Sequence, residues 1–416
     1  MTANDNSRRT FIKQAALGTA ALWVAPTSRI LGANDRIRVG MIGVGGRGQD
    51  LLRQVIAVPN VELVAIADVY TRRWEEARRL APKIDAVNDH RALLDRKDID
   101  AVIVASPLHI HARHFLDSLA AGKDLYSEKT MTWSIPEADE CLAAAKKSDR
   151  VVQIGLQHES SGQLADARKW IADGLAGKVC SVESWMSRNT PHGHGQWLRA
   201  IPSDCVPLNV NWTAFLNGRP DIEFSAFRFI NWRLYWEFSG GNVTENMVHQ
   251  ISWIMSALDL DLPSSACMSG GIFSEKDGRE VPDTISVVFE FPGDKLVTWQ
   301  STFSNDRYGL GERLLGSDGT IEHVAGATDM VTGASDEILR YYPEKVNRPQ
   351  GAALTGNSPD HNHMANWLDC IRTRKTPNAP VEKGYSSAIA CHMANLSYRR
   401  KQRITLAEAR AAQPAL

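Results

Sequence analysis

From Asn34 onward the chain alternates short apolar runs with longer stretches in which apolar positions return at helical spacing. The run ending at Ile42, Val61-Glu-Leu-Val-Ala-Ile-Ala-Asp68, Ile99-Asp-Ala-Val-Ile-Val-Ala-Ser-Pro107, Lys123-Asp-Leu-Tyr-Ser-Glu-Lys129 and Arg150-Val-Val-Gln-Ile-Gly-Leu-Gln157 read as strands. Their apolar continuity suits parallel strands covered on both faces. Between them, Gln49–Val55, Thr71–Leu80, Ala112–Ala121 and Pro136–Lys147 read as helices. Gly122 is a C-cap signal, and Pro136 sits in a first turn. Such alternation predicts an α/β domain built on a parallel sheet.

Beyond about residue 158 the pattern changes. Gln163–Gly174 reads as a helix and Lys178–Ser187 as a strand. The stretch 189–224 is punctuated by Pro and Gly; a loop this long inside a domain is usually functional. Gly240-Gly241 interrupts the chain, and a helix starts near Asn242 or Thr244. Thr284–Phe291 and Lys295–Thr302 form a strand–turn–strand unit, and Arg313–His323 reads as a hairpin around Ser317-Asp318-Gly319, so antiparallel pairing is expected. The segment 325–360 is weakly patterned; His363–Ile371 and Ser386–Tyr398 read as helices joined by a Pro-containing loop.

Composition narrows the class. The 416 residues suit two domains, and a net charge of −1 carries no nucleic-acid footprint. Six cysteines without C-x-x-C spacing suggest neither a zinc ribbon nor a redox pair, and Cys141, Cys370 and Cys391, in helical-looking apolar patterns, read as buried free thiols. The N-terminus stands apart. Asn6-Ser-Arg-Arg-Thr-Phe-Ile-Lys13 is a twin-arginine pattern, and Ala15–Ala25 is an apolar run too short for a comfortable membrane span. A signal segment over 1–33 is expected, with export of the folded protein to the periplasm by the twin-arginine machinery. A dinucleotide domain over 34–157 and an α+β domain over 158–410 follow, the last helices free to pack back on the first domain.

The candidate chemistry starts at Gly43-Val44-Gly45-Gly46-Arg47-Gly48, a G-x-G-x-x-G between a strand and a helix. Its glycines allow a tight turn, close approach of a pyrophosphate, and close helix–strand packing; the helix N-terminus offers free N–H groups. Asp68 ends the second strand twenty positions after Gly48, where an acid holds ribose hydroxyls and favours NAD. Arg72 and Arg73 lie near enough to keep NADP open, or are a solvated helix face. His109, His111 and His114 span a loop and a helix start, a spacing that suits helix start and cofactor contact better than metal. Seven of the twelve tryptophans lie between 170 and 253, either as flat faces for sugars or as core filler. Glu245 and His249 are one helical turn apart, so the carboxylate can orient the imidazole, or the two are an exposed pair without consequence.

Taken together, these pieces resemble the glucose–fructose oxidoreductase / inositol dehydrogenase family (Gfo/Idh/MocA). The matching residues are Gly43–Gly48, Asp68, Ser106-Pro107 with His111, Gly122-Lys123 with Glu128-Lys129, Gln153–Gln157, Gly240-Gly241 with Glu245 and His249, and Asn366–Arg372. The resemblance implies an α/β Rossmann domain followed by an α+β domain with a large, mostly antiparallel open sheet, often an oligomer interface. It implies a cofactor site of Gly43, Gly45, Gly46, Arg47, Gly48, Asp68, Ser106, Pro107, His111, Glu128, Lys129 and Gln157, and no metal. It implies that Lys129 is the catalytic lysine, His249 the acid/base histidine and Glu245 the acid preceding it. Two positions depart from the family: Thr130 stands for a proline, and Glu245 for an aspartate. His192, His194, Arg233, Tyr235 and Trp236 are candidate substrate contacts. The expected activity is hydride transfer between a sugar, polyol or glycoside and a tightly held NAD, in a homodimer or homotetramer. The alternatives are an NAD-dependent glycosidase or lyase and an idle sugar-binding homologue.

Overall fold

The computed structural model describes residues 36–190, 194–219, 222–307, 309–325, 338–344 and 352–412. The twin-arginine segment and His192 lie outside the described residues.

In β1 (Ile37–Ile42) every position but Arg38 is buried, which requires a layer on each face of the strand. The chain supplies those layers by alternation: α1 (Gly46–Ile56), β2 (Val61–Ala67), α2 (Thr71–Leu80), β3 (Asp85–Val87), α3 (His90–Leu94), β4 (Ala101–Val104), α4 (His111–Ala120), β5 (Asp124–Ser127), α5 (Ile135–Lys147) and β6 (Val152–Ile154). The six strands pair in parallel in the order β3-β2-β1-β4-β5-β6. The order reverses between β1 and β4, and ligands of open α/β sheets sit beyond the strand ends there. The short edge elements β3 and α3 carry too few residues to show a period in the sequence.

The second half runs α6 (Gly162–Ala172), β7 (Val179–Met186), α7 (Trp212–Leu216), α8 (Ala226–Ile230), a π-helical turn Val243–Met247, α9 (Val248–Ala257), β8 (Ser265–Gly271), β9 (Thr284–Phe291), β10 (Lys295–Thr302), β11 (Leu310–Gly316), β12 (Gly319–Ala325), β13 (Ile338–Pro343), β14 (Leu354–Thr355), α10 (His363–Thr373), α11 (Val381–Arg400), β15 (Ile404–Thr405) and α12 (Leu406–Ala411). Nine strands form one sheet, ordered β14-β13-β12-β11-β7-β10-β9-β8-β15. Only the β7–β10 pair is parallel within it, so the sheet is mixed but mostly antiparallel. The strand β8, with its serines and paired glycines, carries no apolar alternation and was not anticipated.

Two helices bind this sheet to the rest. On α9, Gln250 donates to the carbonyls of Trp185 (2.8 Å) and Gly311 (3.0 Å) and accepts from the Trp299 indole (2.6 Å), pinning the helix to β7, β10 and β11. Helix α11 is buried around most of its circumference, so it lacks the one-sided stripe that marks a surface helix. That is why its first turn was missed in the periodicity. It packs on β8 and on β6, where a Cβ on Gly384 would stand 2.5 Å from Ile154 Cγ1. Ile154, Val248, Trp253, Phe289 and Ala390 therefore share one apolar cluster that spans both sheets. Helix α10 covers the opposite face of the first sheet with Met364, Trp367 and Leu368. Replacing Gly384 with valine is expected to lower unfolding free energy by about 1–3 kcal/mol through overpacking, read as a reduced urea midpoint at unchanged slope.

Candidate active site

The glycine turn lies at the carboxyl end of β1, and each glycine has a different steric reason. Gly43 has φ +86°, and a Cβ there would stand 2.7 Å from the Ser106 nitrogen. A Cβ on Gly48 would meet the Gly43 carbonyl oxygen at 2.3 Å, so only glycine lets α1 approach β1. Gly45 has nothing within 4 Å of its missing side chain; its open side borders a cavity of about 640 Å³. No side chain caps α1, and no acid stands in its first turn, which leaves its N–H groups for an anion. Asp68 lines the same cavity. Its Oδ2 accepts from the Val44 N–H (2.8 Å) and its Oδ1 from the Tyr70 N–H (2.9 Å). Burial raises its proton affinity and the two backbone bonds oppose that. Each oxygen keeps a lone pair for a ribose hydroxyl. These features fit the adenosine and pyrophosphate of a dinucleotide. Arg73 borders the cavity beside Asp68, bonded to Glu76 (2.6 Å), whereas Arg72 turns away to Asp204 (2.8 Å).

The end of β5 carries the next group. Glu128, nearly buried, accepts from Arg47 Nε (2.8 Å) and Gln157 Nε2 (3.3 Å). This ties the glycine turn to β5. Gly155 makes room for it, since a Cβ there would stand 2.8 Å from the carboxylate carbon. Ser106, Pro107, His111 and His114 line the wall between the two. Both His111 nitrogens face carbonyls, of Thr130 (2.8 Å) and Ser106 (2.7 Å), and a neutral ring can donate to only one of them. His114 Nδ1 meets the Ser106 hydroxyl (3.0 Å), and His109 Nε2 meets the Phe215 carbonyl (2.6 Å). The three imidazoles are thus engaged separately and do not converge.

Lys129 and His249 line the same cavity. The Lys129 ammonium donates to the Glu245 carbonyl (2.9 Å) and lies 3.6 Å from the Glu245 carboxylate. The Thr130 hydroxyl donates to the Thr244 carbonyl (2.6 Å), a bond the family's proline lacks. Val243–Met247 is a π turn, whose irregular spacing leaves carbonyls for such partners. The same turn corrects the expected Glu245–His249 pairing. Glu245 instead accepts from Arg233 Nε (2.9 Å), and no hydrogen bond joins it to His249. A π turn shifts the angular phase of the following residues, so i and i+4 do not stack as in an α-helix. Burial acts to raise the Glu245 pKa, but Arg233 and Lys129 hold it below the usual carboxylate range. His249 is half-buried, its ring tilted against His158 at 5.4 Å. Burial, then Lys129 and His158, push its pKa well below that of free histidine. Its Nδ1 has no hydrogen-bond partner among the described residues.

The insert between β7 and the π turn covers the groove. Thr71 N–H donates to Asn209 O (3.0 Å) and Asn211 N–H to Val69 O (2.8 Å), placing the insert against the segment after Asp68. Arg199 reaches over the glycine turn, its Nη1 3.5 Å from where a Gly46 Cβ would lie. Arg188, Arg199, Trp197, Trp232 and His158 border the cavity but were not singled out in the sequence. Of the tryptophans, Trp253 is fully buried core, whereas Trp197 and Trp232 line the cavity. Arg233 is at the site, as expected. Tyr235 and Trp236 are not: the turn Trp232–Leu234 is a 3-10 helix, which sends successive side chains to different sides. Tyr235 is buried in a cluster with Phe215 and Phe238, and the Trp236 ring faces Tyr398 at 6.1 Å. His194 is exposed and borders no part of this cavity.

Fold and site together define a Rossmann dinucleotide-binding protein with a second domain closing the crevice. Residues 37–156 match an oxidoreductase family with an NAD-binding Rossmann fold, and residues 217–406 match that family's C-terminal alpha/beta domain. The chain belongs to this Gfo/Idh/MocA oxidoreductase family, and its N-terminal domain is NAD-binding. It is 34% identical over 157 residues to an inositol 2-dehydrogenase of Gluconacetobacter diazotrophicus, covering 36% of this chain and 45% of that protein. It is 26% identical over 226 residues to a glycosyl hydrolase family 109 protein of Shewanella baltica, covering 46% and 49% respectively. The chain thus spans about half the length of the curated relatives it matches. Among solved structures, levoglucosan dehydrogenase with NADH and L-sorbose has the same fold (TM-score 0.68, 16% identity, 89% of this chain and 99% of that one).

Buried histidines set an acid limit. Burial lowers His109 to about 3 and His363 and His392 to about 4. Their folded pKa values lie below the unfolded value, so the unfolded chain gains protons first as pH falls. Stability is expected to be full above about pH 6.5 and to fall by about 1–2 kcal/mol per histidine by pH 5, read from denaturation midpoints at each pH.

Proposed function

We propose that this protein is an exported NAD(H)-dependent oxidoreductase that oxidises a CH–OH group of a sugar, polyol or glycoside and keeps its dinucleotide as a resident group. The observation that carries this reading is one cavity lined both by the glycine turn and by Lys129 and His249, which come from different domains. NAD, when bound, supplies hydride acceptance. The protein's own groups position the substrate and move its proton. His249 is neutral, and because its Nδ1 is buried and unpartnered, Nε2 is the ring nitrogen left to accept the hydroxyl proton. Lys129 spends one of its three donors on Glu245 O and can turn another to the substrate oxygen, favouring the charge that develops there. Glu245 stays ionised between Arg233 and Lys129 and fixes the ammonium's position. Asp68 favours NAD over NADP by repelling a 2′-phosphate.

Retention of the cofactor is supported by the insert, which pairs beside Asp68 and sets Arg199 over the phosphate loop. It agrees with the twin-arginine pattern at Arg8-Arg9, since a protein exported folded can carry NAD loaded in the cytoplasm. Assembly as a homodimer or homotetramer through the nine-stranded sheet accords with exposed Leu296 and Tyr342 on its strands. The family 109 relatives favour a second reading, a redox-neutral glycosidase or lyase that oxidises, eliminates and reduces in one turnover.

Purified protein, denatured and scanned for nucleotide, is expected to release NAD. Offered free sugars and aryl glycosides, it is expected to form NADH; aglycone release without net NADH would instead establish the glycosidase, and neither would overturn both readings. Lys129→Ala and His249→Ala are each expected to lower kcat by about 10²–10⁴-fold with NAD content retained. Arg199→Ala is expected to leave hydride transfer measurable at saturating NAD but to lose nucleotide on gel filtration.

A further inference from the structure

The charges around the cavity do not balance. Arg47, Arg73, Lys129, Arg188, Arg199 and Arg233 border it against the carboxylates of Asp68, Glu128 and Glu245. Most of the cations are accounted for within the protein. Arg47 pairs with Glu128, Arg73 with Glu76, and Arg233 and Lys129 share Glu245. Arg199 lies over the glycine turn, where the dinucleotide phosphates would meet it.

Arg188 remains. It follows β7, with its backbone N–H held by Thr302 O at 2.9 Å, and its side chain is half-buried in the cavity wall. No carboxylate, carbonyl or hydroxyl among the described residues bonds its guanidinium. Arg188 is within electrostatic reach of Glu245 and of the His249 ring, and Arg199 of Arg233 and Arg73. Arg188 therefore lies beside the groups around Lys129 and His249, whereas Arg199 lies over the glycine turn. Taking a guanidinium partly out of water without a counter-ion is unfavourable, and its fork of donors matches a carboxylate in two parallel bonds. A neutral sugar offers only hydroxyls and leaves the charge uncompensated.

We propose that Arg188 is the anion subsite of the substrate, and that the substrate is a sugar acid, a uronate or aldonate. Its carboxylate pairs with the Arg188 guanidinium while its hydroxyl-bearing carbon faces Lys129 and His249. The proposal rests on reading the site as that of a sugar oxidoreductase.

The test uses full-length, NAD-loaded protein with glucuronate, gluconate, glucose 6-phosphate and glucose as probes. NADH formation gives kcat and KM, and calorimetry gives binding independently of turnover. The wild type is expected to favour an acid over glucose by about ten- to hundredfold, the worth of a charge-assisted pair. Arg188→Gln is expected to bring the acid-to-glucose ratio close to one through KM, and Arg188→Lys to restore part of it; NAD content and Tm report that each variant is folded. Equal handling of glucose and the acids by the wild type, preference for the phosphate, binding of none of the probes, or an equal loss for acid and glucose in Arg188→Gln would each overturn the proposal. Acid-selective binding that depends on Arg188 without any NADH would leave the anion subsite standing and remove the oxidoreductase reading. Turnover of glucose without acid preference would do the reverse.

Discussion

A buried carboxylate cannot stay ionised alone, and the candidate catalytic groups of this protein are arranged around that constraint at Glu245. Arg233 reaches it at 2.9 Å from the turn after α8, and Lys129 stands at 3.6 Å from the end of β5. Lys129 is 116 positions from Glu245 and Arg233 only 12. The carboxylate is compensated only when the end of the parallel sheet, the π turn and the insert are all in place. The same docking makes the bonds from Lys129 to Glu245 O and from Thr130 to Thr244 O. Closing the two domains on each other and assembling the candidate catalytic groups are therefore one event.

The nucleotide end depends on a parallel device of smaller scale. Arg47 of the glycine turn is held by Glu128, and Glu128 has space because residue 155 is glycine. The turn is thereby fixed to β5, next to Lys129. The phosphate loop and the candidate catalytic lysine are thus joined through one ion pair, which would align a dinucleotide seated on the first with the second. The insert adds cover from the opposite side through its backbone bonds at Val69 and Thr71. Its apolar cluster of Phe215, Leu234, Tyr235 and Phe238 gives that cover a core of its own. Rigid cover over a groove slows exchange of whatever lies in it, which is the physical basis for treating the nucleotide as resident.

Much of this was legible in the residues, and the reasons differ from place to place. Gly43 and Gly48 are readable because backbone geometry demands glycine there locally, within six residues. Lys129 and His249 were readable through their neighbours in sequence. Tyr235 and Trp236 were misplaced because contiguity was taken for a shared face, and a 3-10 turn does not preserve one. The Glu245–His249 pair failed for a related reason, since α-helical spacing was applied to a π turn. Arg188 and Arg199 were passed over because an arginine in a long irregular stretch looks the same whether it faces water or a cavity.

The sequence by itself determined the alternation of strands and helices, the phosphate-binding turn, the acid at Asp68 and the type of both domains. Each of these is written in short-range periodicity or in a local steric requirement. Only the tertiary structure decided which cations neutralise Glu245, which arginine is left without a counter-ion, and which tryptophans face the cavity. Those outcomes depend on distances between segments far apart in the chain, and on burial, which sets whether a charge needs a partner at all.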